Sequence, residues 1–302
     1  MGFGAGKVIL LGEHGVVYGY PAIAAGLALG VEATAKRSSE HRLRIDSWSL
    51  NLPADPDSEE PLSRAFAMCL DDREPLPHPI EVACEVNLPP GAGLGCSAAI
   101  GVATLRALDE ILNTQSSPEQ LQERSLRWEK FFHGTPSGID NAVSAFGGIV
   151  RYTRGSGVRR MSCPSALSLV IAHSGASSST KDMVESVQRQ QRHEPQKVAK
   201  VFQAIATLVQ NAEHTMASGN LRHLGQLMTL NQSLLATLML STGKIEELCE
   251  IARDAGALGA KLTGAGGGGC IIALCEDSDQ AFSVAEALHE KSESVFMSEV
   301  SS

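Results

Sequence analysis

The residues best suited to chemistry lie in one short run, Pro90-Gly91-Ala92-Gly93-Leu94-Gly95-Cys96-Ser97-Ala98. Before it, Ile80, Val82, Cys84, Val86 and Leu88 alternate with Glu81, Ala83, Glu85 and Asn87, the pattern of a half-buried strand. After it, Ala98, Ala99, Val102, Leu105, Leu108 and Leu112 repeat with the period of an amphipathic helix. A strand that enters alternating glycines and leaves as a helix lets backbone come close to an anion. The helix start then offers unpaired N–H groups and the positive end of its dipole. This run reads as a phosphate cradle. It lacks the Gly-Lys-Ser/Thr ending of a Walker loop. Its third glycine is misplaced for the dinucleotide fingerprint, and no parallel βαβ unit with an acidic residue follows. Ser97 stands at the mouth of the helix, where a plain N-cap is the competing reading.

The composition says how such an anion must be held. Asp+Glu number 34 and Lys+Arg 25, a formal net charge of −9. That argues against a general nucleic-acid binder, and leaves local geometry to hold the anion. Glycine is over-used, at 29 where usage near 7% would give roughly 21. Gly91, Gly93, Gly95, Gly264 and Gly266, Gly267, Gly268 and Gly269 account for that surplus. Seven scattered cysteines with no C-x-x-C pair read as reduced thiols, which places the chain in the cytoplasm and argues against a zinc site. Residues 1–7 lack a signal-peptide pattern. The uncharged run 15–31 contains Pro21 and four glycines and reads as strand–turn–strand or strand–turn–helix, not as a membrane span.

The elements needed to carry these residues are readable in outline. Strands are expected at 7–11, 31–36, 43–52, 80–88, 149–152, 167–172, 270–274 and 295–300; the alternation in 43–52 slips near Asp46 and Ser47, a bulge or a turn. Helices are expected from 98 to 112, over 198–216, 221–240, 245–255 and 280–290, and from the capping box Ser117-Pro118-Glu119-Gln120 towards Phe132, closed by Gly134. The Gly/Ser/Arg-rich stretch 154–164 marks a domain boundary. The expected fold class is α+β in two domains, 1–160 and 161–302.

Three motifs resemble one family. Pro90-Gly91-Ala92-Gly93-Leu94-Gly95-Cys96-Ser97-Ala98-Ala99 is similar to the second motif of the GHMP small-molecule kinases. Gly6-Lys7-Val8-Ile9-Leu10-Leu11-Gly12-Glu13-His14-Gly15-Val16-Val17-Tyr18-Gly19 resembles their first motif, and Lys261-Leu262-Thr263-Gly264-Ala265-Gly266-Gly267-Gly268-Gly269-Cys270 their third. His133-Gly134-Thr135-Pro136-Ser137-Gly138-Ile139-Asp140-Asn141 and Leu230-Asn231-Gln232-Ser233-Leu234-Leu235 resemble the branch that phosphorylates mevalonate. The pattern departs at Ala5, where a Pro is common, at Cys96, where Ser is frequent, and at Gly15 and Tyr18.

The resemblance implies an N-terminal mixed α/β domain with the Gly-rich loop and a C-terminal ferredoxin-like α+β domain. It implies ATP-dependent phosphorylation of the primary hydroxyl of mevalonate, giving 5-phosphomevalonate and ADP. Asp140 is the implied base and Lys7 its cationic partner at the attacking oxygen and γ-phosphate. Pro90, Gly91, Ala92, Gly93, Leu94, Gly95, Cys96, Ser97 and Ala98 cradle the nucleotide. Ser97 and Glu129 hold Mg²⁺. Glu13, His14, Tyr18, Ser137, Thr180, Ala265 and Gly266 serve the acceptor. As an acceptor contact His14 could bind a carboxylate or a hydroxyl. Taken alone, each residue has a plain alternative: a turn Asp, a solvated Lys, a surface helix Glu, a hydrogen-bonded turn His, a loop Thr. Cys96 reads either as a thiol acidified by the helix start and shielded by ATP, or as a small buried filler. ATP and mevalonate are the expected partners, with a candidate homodimer, no nucleic acid and no membrane. The rival readings are another kinase of the family, such as one acting on phosphomevalonate, and a non-catalytic ligand-binding regulator.

Overall fold

The computed structural model describes every residue except 74, 90, 133–135, 178 and 302. In chain order the elements are β1 (Gly2–Leu11), β2 (Ala22–Arg37), β3 (Arg42–Ile45), β4 (Leu50–Pro53), α1 (Pro61–Asp71), β5 (Ile80–Val86), α2 (Cys96–Ile111), α3 (Pro118–Glu129), α4 (Ile139–Phe146), β6 (Ile149–Thr153) and β7 (Gly157–Met161). They continue as β8 (Leu167–His173), α5 (Thr180–His193), α6 (Pro195–Ala217), α7 (Leu221–Thr237), α8 (Gly243–Asp254), β9 (Gly259–Thr263), β10 (Cys270–Cys275), α9 (Ser278–His289) and β11 (Ser294–Val300). Contacts divide the chain into two compact units that interleave along the sequence. One comprises Met1–Gly6, Leu29–Pro89 and Gly95–Gly147; the other comprises Lys7–Ala28, Pro90–Leu94 and Gly148–Ser302.

In the first unit, β5 pairs antiparallel with 31–37 of β2 and parallel with β3, and β3 pairs antiparallel with β4. The alternation read in 80–88 is real: Ile80, Val82 and Cys84 are buried. The slip near Asp46 is a short 3₁₀ turn, so 43–52 is a hairpin of two strands, not one. The capping box forms in full, with the Ser117 hydroxyl and the Gln120 side chain each bonded to the other's backbone N–H. Two glycines at the start of β1 bring α2 in closely. A Cβ on Gly4 would lie 2.0 Å from the Ala99 carbonyl oxygen, and one on Gly2 2.3 Å from that of Ala103.

In the second unit, 22–25 of β2 pair with β6, which pairs with β7. The segment 154–164 therefore carries a strand. The remaining strands form an antiparallel sheet in the order β11-β8-β10-β9. With helices between β8 and β9 and α9 between β10 and β11, this is the βαββαβ arrangement of a ferredoxin-like domain. One face of the sheet buries Val170, Ala172, Ala260, Leu262, Ile271 and Ala273 among α6, α7, α8 and α9 side chains. Among the described residues no helix is long and apolar enough to cross a membrane.

Candidate active site

Lys7 lies within β1 and is only 4% exposed. Its ammonium donates to the Gly93 carbonyl at 2.8 Å, and its backbone N–H donates to the Leu94 carbonyl at 2.9 Å. The cradle is thus pinned to the strand that carries the lysine. Gly91 and Gly93 have φ of 71° and 74°, in the left-handed region that favours glycine. Among the described residues, apart from the chain neighbours, a Cβ at either would meet no atom within 4 Å. Backbone conformation, not crowding, demands these glycines, and the space in front of them is open. Ala92 and Leu94 point inward and are buried. Pro90 lies outside the described residues.

The second glycine loop is built differently. A Cβ on Gly266 would lie 2.3 Å from the Leu240 carbonyl oxygen, and one on Gly268 2.5 Å from that of Ala176. Gly267 and Gly269 donate to those same two carbonyls at 2.7 and 2.6 Å. Packing within the second unit therefore accounts for much of this run. Its ends still reach the cradle: a Cβ on Gly264 would sit 3.4 Å from the Gly93 oxygen, and one on Gly269 3.5 Å from the Ala92 oxygen.

In the first unit, α2 begins at Cys96 behind Gly95, whose φ is 74°. Ser97 is the second helical residue, so it is not the N-cap. Its hydroxyl oxygen is buried and has no hydrogen-bond partner among the described residues. Gly101 admits the Trp128 ring, whose nearest atom would lie 2.9 Å from a Cβ there. That contact seats the end of α3 on α2 and buries Glu129 to 4% exposure. Burial, then Cys84 and the Glu129 carboxylate, push the Cys96 thiol up to about 12. The thiol is thus not acidified at the helix start, contrary to one of the two readings of Cys96.

Asp140 occupies the first turn of α4 and is half-buried, in a helix where a turn was expected. Gly138 opens this helix with φ 88°, and the Ser137 hydroxyl accepts from the Ile139 N–H at 3.4 Å. Thr180, expected in a loop, is the exposed first residue of α5; Ser179 is its cap.

The residues after β1 are held tightly. His14 is 5% exposed and has φ 58°, a conformation a non-glycine residue keeps only where its surroundings fix it. Its Nε2 bonds the Ala265 carbonyl oxygen at 2.8 Å. A carbonyl only accepts, so Nε2 carries the proton. Burial lowers the imidazole pKa, which leaves the ring neutral with Nδ1 as an acceptor. Tyr18 stacks on Phe202 of α6 with centroids 5.0 Å apart, and its buried hydroxyl has no partner among the described residues. Burial raises its pKa. Glu13 is fully buried and bonded to Lys261 and Asn231, so its carboxylate is committed inside the protein.

Sequence reasoning did not single out Lys261, Asn231 or Thr263. The Thr263 hydroxyl accepts from the Ile9 N–H at 2.8 Å and ties β9 to β1. The available signal was a lysine inside the apolar run Ala260-Lys261-Leu262, which in a buried strand must find an anion. Among the described residues, no three Cys, His, Asp or Glu side chains cluster as a metal cage. Mg²⁺ needs none: it takes one or two protein oxygens beside phosphates and water. The orphaned Ser97 hydroxyl and the buried Glu129 fit such a set.

Comparison with known proteins gives the family. The N-terminal domain model of the GHMP kinases matches residues 62–148, and their C-terminal model matches residues 204–294. The chain belongs to the GHMP kinase family. Within it, the chain is 35% identical to the mevalonate kinase of Pyrococcus furiosus, over 92% of this chain and 90% of that one. It is 36% identical to the mevalonate kinase of Methanothermobacter thermautotrophicus, over 89% and 88%. The crystal structure of L. major mevalonate kinase in complex with R-mevalonate superposes with a TM-score of 0.88 at 29% identity, covering 99% of this chain and 95% of that one. These relatives place it in the mevalonate kinase branch, and it is a kinase.

Proposed function

We propose that this chain transfers the γ-phosphoryl group of ATP to the primary hydroxyl of mevalonate, giving 5-phosphomevalonate and ADP. The observation that carries the reading is the start of α2. A buried hydroxyl without a partner among the described residues, Ser97, follows glycines whose front is open. An N-cap serine would have satisfied its own helix; this one leaves an oxygen to offer to something else.

In this reading the N–H groups of the cradle and the first turn of α2 take the phosphate oxygens. Ser97 and Glu129 hold Mg²⁺, which when bound neutralises charge on the phosphates. Asp140 accepts the proton of the attacking hydroxyl, and Lys7 steadies negative charge on that oxygen and on the γ-phosphate. Lys7 is suited to this because its carbonyl partner at Gly93 ties the ammonium to the phosphate loop. His14, Tyr18, Ser137, Thr180, Ala265 and Gly266 are assigned to the acceptor. The bare Nδ1 of His14 can only accept a hydrogen bond, so His14 reads a hydroxyl of the acceptor and not its carboxylate. All seven cysteines are free, which suits the reducing cytoplasm.

Coupled ADP release with ATP, Mg²⁺ and a panel of mevalonate, phosphomevalonate, galactose and homoserine tests the assignment. Turnover with mevalonate well above the others is expected. Preference for another acceptor would reassign the substrate, and no turnover with any would return the chain to a binding role.

A further inference from the structure

Glu13 and Lys261 are both 0% exposed and form an ion pair in the second unit. The rest of the Lys261 ammonium is satisfied by backbone: it donates to the Ile9 carbonyl at 3.3 Å and to the Leu262 carbonyl. The second Glu13 oxygen accepts from the Asn231 amide at 3.1 Å. One network therefore joins the end of β1, β9 and α7. Burial pushes Glu13 up and Lys261 down, each opposed by the other's charge. Two charges without solvent are costly to hold, and apolar residues of similar volume often serve stability as well or better. Plain stability is thus a poor reason for this pair.

The next residue supplies a better one. His14 follows Glu13 directly and holds φ 58°, with its ring anchored to Ala265 on the far side. A strained backbone persists only if both flanks are fixed. Ala265 fixes the ring, and the Glu13 carboxylate fixes the chain before it. Lys261, four residues before Ala265, holds both sides of that arrangement in register. We propose that Lys261, Glu13 and Asn231 are positioning residues for acceptor recognition, locking His14 with Nε2 on Ala265 and Nδ1 turned to the acceptor hydroxyl. This rests on the mevalonate kinase reading of the site, and it turns Glu13 from a substrate contact into the support of one.

The double variant Glu13→Gln/Lys261→Met removes both charges at once and leaves no buried ion unpaired. Its fold is checked by circular dichroism and thermal melting. With the fold retained, KM for mevalonate is expected to rise about tenfold or more while KM for ATP stays within about twofold, because a small misplacement at the acceptor is enough. Nitrogen-15 histidine spectra, with His14 assigned through His14→Gln, give a readout independent of turnover. The wild-type signal is that of a fixed Nε2–H tautomer, and the double variant averages between tautomers. A folded double variant with the wild-type His14 signal and wild-type acceptor KM overturns the proposal. If the double variant does not fold, Asn231→Ala decides by the same two measurements: a shifted His14 signal with raised acceptor KM supports the lock, and no change in either overturns it. A wild-type protein inert towards mevalonate would sink the substrate reading instead, and the histidine spectra would still judge the lock.

Discussion

At the residue scale, the proposed chemistry turns on a few named groups, and Asp140 is the first to test. Asp140→Asn keeps the size of the side chain and its place in the first turn of α4, but takes no proton. We expect kcat to fall by about 10²–10⁴, the usual weight of a general base, with melting temperature and KM for ATP nearly unchanged. A variant with near-normal kcat would remove Asp140 from the base role. Cys96 gives a second check. With its thiol pushed up to about 12, it is almost wholly protonated at pH 7.5, whereas an ordinary thiol near 8.5 is roughly a tenth ionised. Alkylation of Cys96 by iodoacetamide should therefore run about a thousandfold slower than that of a free thiol, with or without ATP; mass spectrometry of the labelled peptide measures it. Rapid labelling that ATP blocks would restore the acidified thiol. The motif resemblance singled out Lys7, Ser97 and Asp140 for the roles proposed. It did not single out Lys261, because the signal of a lysine in an apolar run counts only once 259–263 is known to be a buried strand, and that strand was not read.

At the element scale, the helices that carry Ser97 and Glu129 meet at a joint at the far end of α2. Asp109 accepts from Arg73 at 2.9 Å, from the Thr114 hydroxyl at 3.1 Å and from the Ser116 N–H at 3.0 Å. It thereby ties the residues just after α1 to α2 and to the turn that opens α3. Burial alone would raise its pKa, but the bonds from Ser116 and Arg73 outweigh that and hold the carboxyl below its ordinary value. A depressed carboxyl contributes stability that is present above the unfolded value, near 3.9, and lost as pH falls through the folded one. Asp109→Asn leaves Arg73, whose side chain is 6% exposed, without its anion. We expect a loss of about 3 kcal/mol at pH 7 in urea melts. The gap to the wild type should narrow below pH of about 4; a gap independent of pH would mean that the charge is not what counts. Strong periodicity made α2, α6 and β5 readable. The reading omitted α1, α5 and β9. α5 is mostly polar with only Val187 buried, so it shows little apolar stripe. Every residue of β9 is buried, so it has no alternation to find. Asp140 was expected in a turn because Pro136, Ser137 and Gly138 precede it, and these turned out to be the entry to a helix.

At the scale of the whole molecule, a chain of net charge −9 must bind a nucleotide that is itself anionic. The glycine surplus first read as one solution in two places, and the structure separates them. Gly91 and Gly93 face open space, where the proposed nucleotide would lie, whereas Gly266 and Gly268 make room for the Leu240 and Ala176 carbonyls. In the proposed site, nucleotide binding falls to a small set of aimed donors, the buried Lys7 and the metal, against a repulsive long-range field. These two contributions respond oppositely to salt. Repulsion acts through solvent over distances beyond a Debye length of about 10 Å at 0.1 M and is screened, while short contacts in a partly buried cradle are screened much less. A protein that captured ATP with a basic surface would lose affinity and on-rate as salt rises. Here kcat/KM for MgATP should stay flat or rise as KCl goes from about 50 to about 300 mM at fixed free Mg²⁺. A steep fall across that range would mean that attraction at long range dominates after all, and that a local positive surface outweighs the sign of the whole.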